Sequence, residues 1–199
     1  MGGFGVATLA GYQRSWTLHG LSKNVQSVWY ARPMASVDPK SVFKKQHYAA
    51  LAMAKQAIER CPEEVWIGGE FPRNYWRITY HALAYAHLYL YPNLEAWQSW
   101  SRHRQECTYL DGDDIPVIEP YSKAELAGYV VQIESEVDAQ IEAMDFSEEW
   151  CGYKWYPQVS RMELMVLSLR HLHGHLGQLT EILISHGLDV DWLGPAPER

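Results

Sequence analysis

Apolar residues recur every three or four positions along four stretches of the chain, which is the spacing of one face of an α-helix. In the first stretch, residues 38–61, Asp38 is placed to cap a helix and Pro39 to occupy its first turn. Pro62 ends this helix, because proline has no N–H to continue it. The residues that share its apolar face are Phe43, His47, Ala50, Leu51, Ala54 and Ile58.

The second stretch predicts a helix from Pro72 to Tyr91, ended by Pro92. It is aromatic and apolar nearly all round, which is typical of a buried helix or of one at a subunit interface. Residues 92–120 then form a long connection, in which residues 93–105 could form a short helix. A crossover of this length is compatible with a bundle that does not run simply up and down.

The third and fourth helices carry the same start signal. Ser122 and Glu125 form one capping-box pattern, and Ser160 and Glu163 form another. The fourth helix is predicted to run to His186, and Gly187 follows where glycine is favoured. The third has an apolar stripe of Leu126, Val130, Ile133, Val137 and Ile141.

No stretch shows the alternation of a β-strand, so the sequence predicts an all-α protein. The expected architecture is a four-helix bundle with a long crossover connection that contains a short extra helix. Residues 38–199 form the bundle domain, and residues 1–37 form an irregular N-terminal extension. This leader has basic residues but no acid before Asp38, as transit peptides do. An irregular extension, or a true start at Met34, is the favoured interpretation.

Charge and cysteine content narrow the function classes. The net charge of −7 and the scattered basic residues exclude the basic stripe of a nucleic-acid-binding protein and argue against an anionic membrane surface. No apolar run approaches the length of a membrane span. Three distant cysteines favour a reducing compartment, so the expected location is the cytoplasm.

Three histidines lie within five positions of the fourth helix. Each residue advances a helix by about 100°, so His171 and His175 lie about 40° apart, whereas His173 lies roughly 160° from both. The pair shares its side with Leu164, Leu167, Gln178 and Ile182, which predicts that it faces the interior. Buried imidazoles need partners. A metal ion would satisfy both, and so would carbonyls or acids across the bundle; spacing alone slightly favours the second.

A metal site needs at least one more ligand. His81 and His87 on the second helix lie about 120° apart, so only one can face a shared site, and the pattern does not choose between them. His47 sits in the apolar face of the first helix, either as a pocket residue, a partner of a metal ligand, or a hydrogen-bonded core histidine. The remaining histidines, expected at the surface, are His19, His103 and His186.

Two segments resemble the DinB/YfiT-like superfamily of metal-binding four-helix bundles. One is FPRNYWRITYHALAYAHLYLY, residues 71–91, with Trp76 about one turn before His81. The other is LRHLHGHLGQLTEIL, residues 169–183. The resemblance covers roughly residues 38–187 and implies that His81, His171 and His175 are the ligands of a divalent metal ion. Zinc and nickel are the metals most expected for such ligands.

The resemblance also implies a class of chemistry. Related proteins are similar to thiol-dependent transferases and isomerases, and others are described as hydrolases. We therefore expect a metal-dependent enzyme, a thiol-linked transferase or a hydrolase, with a small-molecule substrate and a low-molecular-weight thiol. Pocket candidates are His47, Tyr85 and Gln178. The alternative is a non-catalytic stress-response or ligand-binding bundle whose metal is structural or absent. The apolar second and fourth helices predict a homodimer.

Overall fold

The computed structural model describes residues 37–112 and 114–195. Everything described below belongs to the unit of residues 37–199. The predicted irregular extension therefore lies outside the described residues except for Val37, and so do His19 and Met34. In the described part the protein is all-α, with no strand, as the sequence predicts. The helices are α1 Pro39–Arg60, α2 Glu63–Trp66, α3 Tyr75–Leu88, α4 Lys123–Ala143 and α5 Arg161–Ser185.

The predicted helix starts are confirmed at α1, α4 and α5. The carboxylate of Asp38 accepts hydrogen bonds from the backbone N–H groups of Lys40 and Ser41. Ser122 and Ser160 each form a complete capping box with the glutamate three residues later. Each box satisfies two N–H groups that a helix start otherwise leaves without partners.

The predicted end of α5 is also confirmed. Gly187 follows the C-cap with a positive φ of 75°, a conformation that glycine adopts without steric cost. Its N–H donates to the carbonyl of Ile184, and the N–H of Leu188 donates to that of Leu183. This pair of bonds is a Schellman motif, which satisfies carbonyl groups of the last turn.

The four long helices pack around a common core. Helix α1 packs against α4 and α5, and α3 packs against α5 and α4. All five residues of the predicted α4 stripe are fully buried, and so are those of the α1 face, His47 included. Burial of these periodic faces is the main force that joins the helices, because apolar side chains leave water when the helices meet.

The structure corrects the predicted limits of the second helix. Helix α3 spans Tyr75–Leu88 rather than Pro72–Tyr91. Before it, the N–H of Arg73 bonds to the carbonyl of Glu70 in a turn. After it, Tyr89, Leu90 and Tyr91 stay buried but leave the helix. Their apolar character reflects tertiary burial and not a longer helix. The linker before α3 also contains the short helix α2, which the pattern did not indicate.

The crossover between α3 and α4 has no α-helix at residues 93–105, contrary to the prediction. It has turns and a single 3₁₀ turn at Gln105–Thr108. The aromatic residues of this segment pack individually onto the core. Trp100, for example, stacks on Tyr129 with ring centroids 4.6 Å apart. A buried arginine of α3, Arg77, holds the crossover by donating to the carbonyls of Glu106 and Pro116.

The segment between α4 and α5 is fastened to the end of α3. The hydroxyl of Tyr153 donates to the carbonyls of Leu88 and Tyr91, at 2.5 and 3.0 Å. Arg161 donates to the carbonyls of Tyr91 and Pro92. At Gly152, where φ is 88°, a Cβ atom would lie 1.9 Å from the Pro92 carbonyl oxygen, so the backbones meet too closely for any side chain.

Within the described residues, no helix is both long enough and apolar enough to cross a membrane.

Candidate metal centre

Helices α3 and α5 bring three histidine side chains together. His81 projects from the second turn of α3, and His171 and His175 project from consecutive turns of α5. The Nε2 atom of His171 lies 3.0 Å from Nε2 of His81 and 3.1 Å from Nε2 of His175. Ligand atoms of the three residues all lie within 4.8 Å of one another. The cluster contains the three histidines that the resemblance implies, and it could hold a metal ion.

Hydrogen bonds at the other ring nitrogens determine where two of the protons lie. Nδ1 of His81 lies 2.6 Å from the carbonyl oxygen of Thr108, which can only accept, so this nitrogen is the donor. Nδ1 of His175 lies 2.9 Å from Oε1 of Gln178. That oxygen also accepts from the guanidinium of Arg73 at 3.3 Å, which fixes the amide orientation. Neutral His81 and His175 therefore both carry a lone pair on Nε2.

All three imidazoles are held neutral by burial. Burial lowers the pKa of His81 to about 4 and, with its two histidine neighbours, lowers the pKa of His171 to about 3. The pKa of His175 is lowered as well, again chiefly by burial. Metal ligation requires unprotonated imidazole, so the cluster is ready to bind a cation at neutral pH without first losing protons.

The donor set fits a metal ion on both spacing and protonation. Zinc lies about 2.0–2.1 Å from histidine nitrogens, so three such nitrogens around one ion are roughly 3.0–3.4 Å apart. Two of the three nitrogen separations, 3.0 and 3.1 Å, fall in this range, and the third is no more than 4.8 Å. Without a cation, His81 and His175 both direct a lone pair at Nε2 of His171. That nitrogen carries at most one proton for the two lone pairs. A cation would satisfy all three nitrogens at once.

His171 differs from the other two histidines at its second nitrogen. Its Nδ1 atom is buried and has no hydrogen-bond partner among the described residues. Such an atom is costly in a folded protein, and each one calls for an explanation, such as a functional role or a bound ion. The imidazole of His171 is therefore the least restrained of the three, although it is central in the cluster.

The sequence predicts that the histidine pair faces the interior, but the pair lies at the edge of the buried face of α5 and not at its centre. The centre of that face is formed by Leu172, Leu176, Leu179 and Leu183, all fully buried. His171 and His175 are only half-buried, and Gln178 beside them is exposed. The shift of some 60–100° around the helix keeps the pair out of the core and places His171 in the wall of a cavity.

A cavity of about 490 Å³ opens next to the cluster, with His81 and His171 in its wall. Its volume is typical of small-molecule sites. Tyr85 lies in the same wall, with its ring 4.8 Å from that of His81 and 5.3 Å from that of His171. Burial raises the pKa of Tyr85, so its hydroxyl keeps its proton at neutral pH and can donate it in a hydrogen bond.

The other candidate residues lie outside the cavity wall. Gln178 contacts the cluster through His175 and does not line the cavity. His47 does not line it either. It is buried in α1, its Nδ1 donates to the carbonyl of Phe43 at 2.8 Å, and its Nε2 has no partner among the described residues. His173 points away from the cluster and bonds to the carbonyl of Leu169.

His87, which the pattern could not distinguish from His81, belongs to a different network. It is fully buried, with Nδ1 3.0 Å from the hydroxyl of Tyr129 and Nε2 2.8 Å from the carboxylate of Glu136. Tyr91 donates to the same carboxylate. This network connects α3 to α4 on the side of α3 that faces away from His81.

Sequence reasoning missed His103, which was expected at the surface. It is half-buried, lines the cavity, and has Nδ1 2.6 Å from the hydroxyl of Tyr80. Its position depends on the course of the crossover, which no local pattern reveals. His186, in contrast, is exposed as predicted.

Comparison with family models, curated proteins and solved structures gave no match to this chain. The relation to the DinB-like superfamily therefore stays a prediction from the two histidine-bearing segments.

Proposed function

We propose that this protein is a divalent-metal-dependent enzyme in which His81, His171 and His175 hold the ion and a small molecule occupies the adjoining cavity. The observation that carries the proposal is the convergence of three neutral histidine nitrogens, two separated by 3.0 Å, at the wall of a 490 Å³ cavity. A structural site enclosed in the core would not need this access.

The surrounding residues support catalysis. A divalent ion with three protein ligands supplies a Lewis acid and lowers the pKa of a water or thiol that shares it. The chain itself does three things around that position. The Thr108 carbonyl and Gln178 orient two ligands. The protonated hydroxyl of Tyr85 offers a hydrogen-bond donor beside them. Aromatic side chains, among them Tyr89, Trp97 and Tyr156, form much of the cavity wall.

The reaction we propose is a thiol-linked group transfer or a hydrolysis, in keeping with a DinB-like four-helix bundle. The packing of α1, α3, α4 and α5 around one core supports such a bundle, and the long connection between α3 and α4 fits its crossover. Imidazole nitrogen ligands suit zinc or nickel.

A second candidate is a non-catalytic ligand-binding protein with a structural metal, and the aromatic lining of the cavity favours it. The two candidates differ in the coordination sphere. An ion that keeps an exchangeable position facing the cavity supports the enzyme. An ion closed by a fourth protein ligand supports the binding protein.

The proposal is tested by metal content. We expect tag-free protein, loaded with zinc or nickel and then desalted, to keep close to one ion per chain, and the His171→Ala variant to lose it. His173→Ala is the matched control, because His173 lies two residues away on the same helix but outside the cluster. Inductively coupled plasma mass spectrometry measures both. Full metal retention by His171→Ala would overturn the proposal.

We also propose that the protein acts in the cytoplasm, since Cys61, Cys107 and Cys151 are all buried free thiols, as a reducing compartment allows.

A further inference from the structure

The cavity follows one face of α3. Four of its wall residues come from that helix at the spacing of a single face, and the C-cap residue continues the row: His81, Ala84, Tyr85, Leu88 and then Tyr89. From His81 to Tyr89 this face extends for about 12 Å at the rise of an α-helix. The cavity therefore has a long axis, with the histidine cluster at one end.

The cluster end of the cavity is polar. His103, Gln105 and Thr108 of the crossover line this part, and the carbonyl of Thr108 binds His81. The polar side chains bond to one another: Nε2 of His103 lies 3.2 Å from Oε1 of Gln105, whose amide donates to the hydroxyl of Tyr109 at 3.0 Å. They form a hydrogen-bonding surface whose amide and hydroxyl groups are uncharged.

The far end of the cavity is apolar and aromatic. Tyr89, at the end of α3, meets Tyr156 with ring centroids 6.2 Å apart, and Trp155 lies beside Tyr156 in the wall. Several large apolar side chains of the wall are still about half exposed: Leu94 at 48%, Tyr109 at 46% and Trp155 at 47%. A planar apolar ligand would cover them, which is favourable because that surface leaves water.

The wall carries no carboxylate, ammonium or guanidinium group among the described residues. A charged ligand group placed there would lose its hydration without gaining an opposite charge, which is strongly unfavourable. Without a metal ion on the histidines, the cavity therefore disfavours a charged organic ligand.

We propose that the cavity binds an uncharged aromatic small molecule, with its ring system between the aromatic walls and one polar head directed at the histidine cluster. This rests on the proposed function in taking the ligand to be the molecule on which the metal acts. The match is one of shape, apolar surface and absence of charge.

The test uses two probes with the same naphthalene ring and different charge, 2-naphthol and 2-naphthoate. Each is titrated by calorimetry at pH 7 into full-length protein that a chelator has freed of metal. We expect 2-naphthol to bind and 2-naphthoate to bind at least about tenfold more weakly, because its carboxylate is desolvated without a partner. Metal-free protein is used so that coordination of the carboxylate does not mask the selectivity.

Two tryptophans provide a matched pair of variants. Trp155→Ala removes an exposed wall residue and should weaken 2-naphthol binding at least about fivefold, through lost ring stacking and apolar contact. Trp192→Ala also removes an exposed tryptophan, but one outside the cavity, and should leave binding unchanged. Ala84→Leu fills the cavity from the centre of α3 and should abolish binding; circular dichroism checks that this variant folds.

Failure of this inference is distinguishable from failure of the proposed function. Absence of 2-naphthol binding, equal binding of both probes, or an equal effect of the two tryptophan variants would each overturn the inference, whatever the metal content. Binding of 2-naphthol with the expected selectivity, by a protein that keeps no zinc or nickel in the loading experiment, would uphold the inference and overturn the proposed function.

Discussion

At the scale of single residues, Gln178 determines the ring orientation and the tautomer of His175. The glutamine is exposed, but its Oε1 accepts from Nδ1 of His175 at 2.9 Å and thereby leaves the lone pair on Nε2. The guanidinium of Arg73 holds the same oxygen in place. Groups that orient metal-binding histidines in this way strengthen ligand basicity and fix the ring.

We expect Gln178→Leu to weaken zinc binding by about ten- to a hundredfold, because His175 loses the acceptor that fixes its tautomer. Gln178→Glu should bind at least as tightly as wild type, since a carboxylate is a stronger acceptor. Competition against a chromophoric chelator measures both affinities. Gln140→Leu, on α4, is the control and should match wild type; an unchanged affinity in Gln178→Leu would show that the contact has no role.

His47 predicts a dependence of stability on pH. Burial lowers its pKa to about 4 in the folded protein, from an ordinary value near 6.5. Below 6.5 the unfolded chain takes up a proton that the folded chain does not, so the stability that neutral His47 provides is lost as the pH falls from about 6.5 to about 4. The loss from this residue is on the order of 3 kcal/mol.

The His47→Leu variant should therefore lose about 2 kcal/mol less free energy of unfolding than wild type between pH 7 and pH 4.5. Other buried histidines shift in the same direction, so the difference between the proteins isolates the contribution of His47. Urea unfolding at the two pH values measures it. His186→Leu, at an exposed histidine, is the control; identical pH dependence in His47→Leu and wild type would contradict the assignment.

At the scale of elements, helix starts were predictable because their signals are local. A capping box involves four consecutive residues, and the boxes at Ser122 and Ser160 form as the sequence indicates. The ends of α3 were not predictable, because Leu88 and Tyr91 are positioned by the hydroxyl of Tyr153, more than sixty residues away. Distant contacts also distinguish His81 from His87, whose helix faces are equally apolar.

We expect Ser160→Ala to lower the free energy of unfolding by about 1 kcal/mol, because the start of α5 loses the acceptor for the Glu163 N–H. Ser135→Ala is the matched control. Ser135 is exposed in the middle of α4, where alanine favours the helix, so its stability should stay equal or rise slightly. Thermal denaturation compares the two. Equal stability of Ser160→Ala and wild type would show that α5 does not depend on its cap.

At the scale of the whole molecule, the chain covers α3 by itself. Twelve of its fourteen residues are buried among the other helices and the crossover. The all-round apolar character of the second helix is thus accounted for within one chain. One apolar surface available for association is the outer face of α5, where Met162 and Val166 are 38% and 55% exposed one turn apart.

The predicted homodimer is tested by light scattering. We expect a mass twice the chain mass of 22.9 kDa, and a shift toward the chain mass in Val166→Lys, because a charge at an apolar interface is desolvated. Val131→Lys, at an exposed valine of α4, is the control and should keep the wild-type mass. A wild-type mass of 22.9 kDa would refute the dimer.

In the segment between α4 and α5, attachment to the scaffold and lining of the cavity fall on different side chains, which bears on how its sequence can evolve. The residues that fasten it, Gly152, Tyr153 and Arg161, contact the backbone at the end of α3, whereas Trp155 and Tyr156 face the cavity. Because the two tasks fall on different side chains, we expect substitutions at 155 and 156 to alter which ligand the proposed site prefers while the scaffold persists. The segment is thus a place where related sequences can diverge in specificity without a compensating change elsewhere.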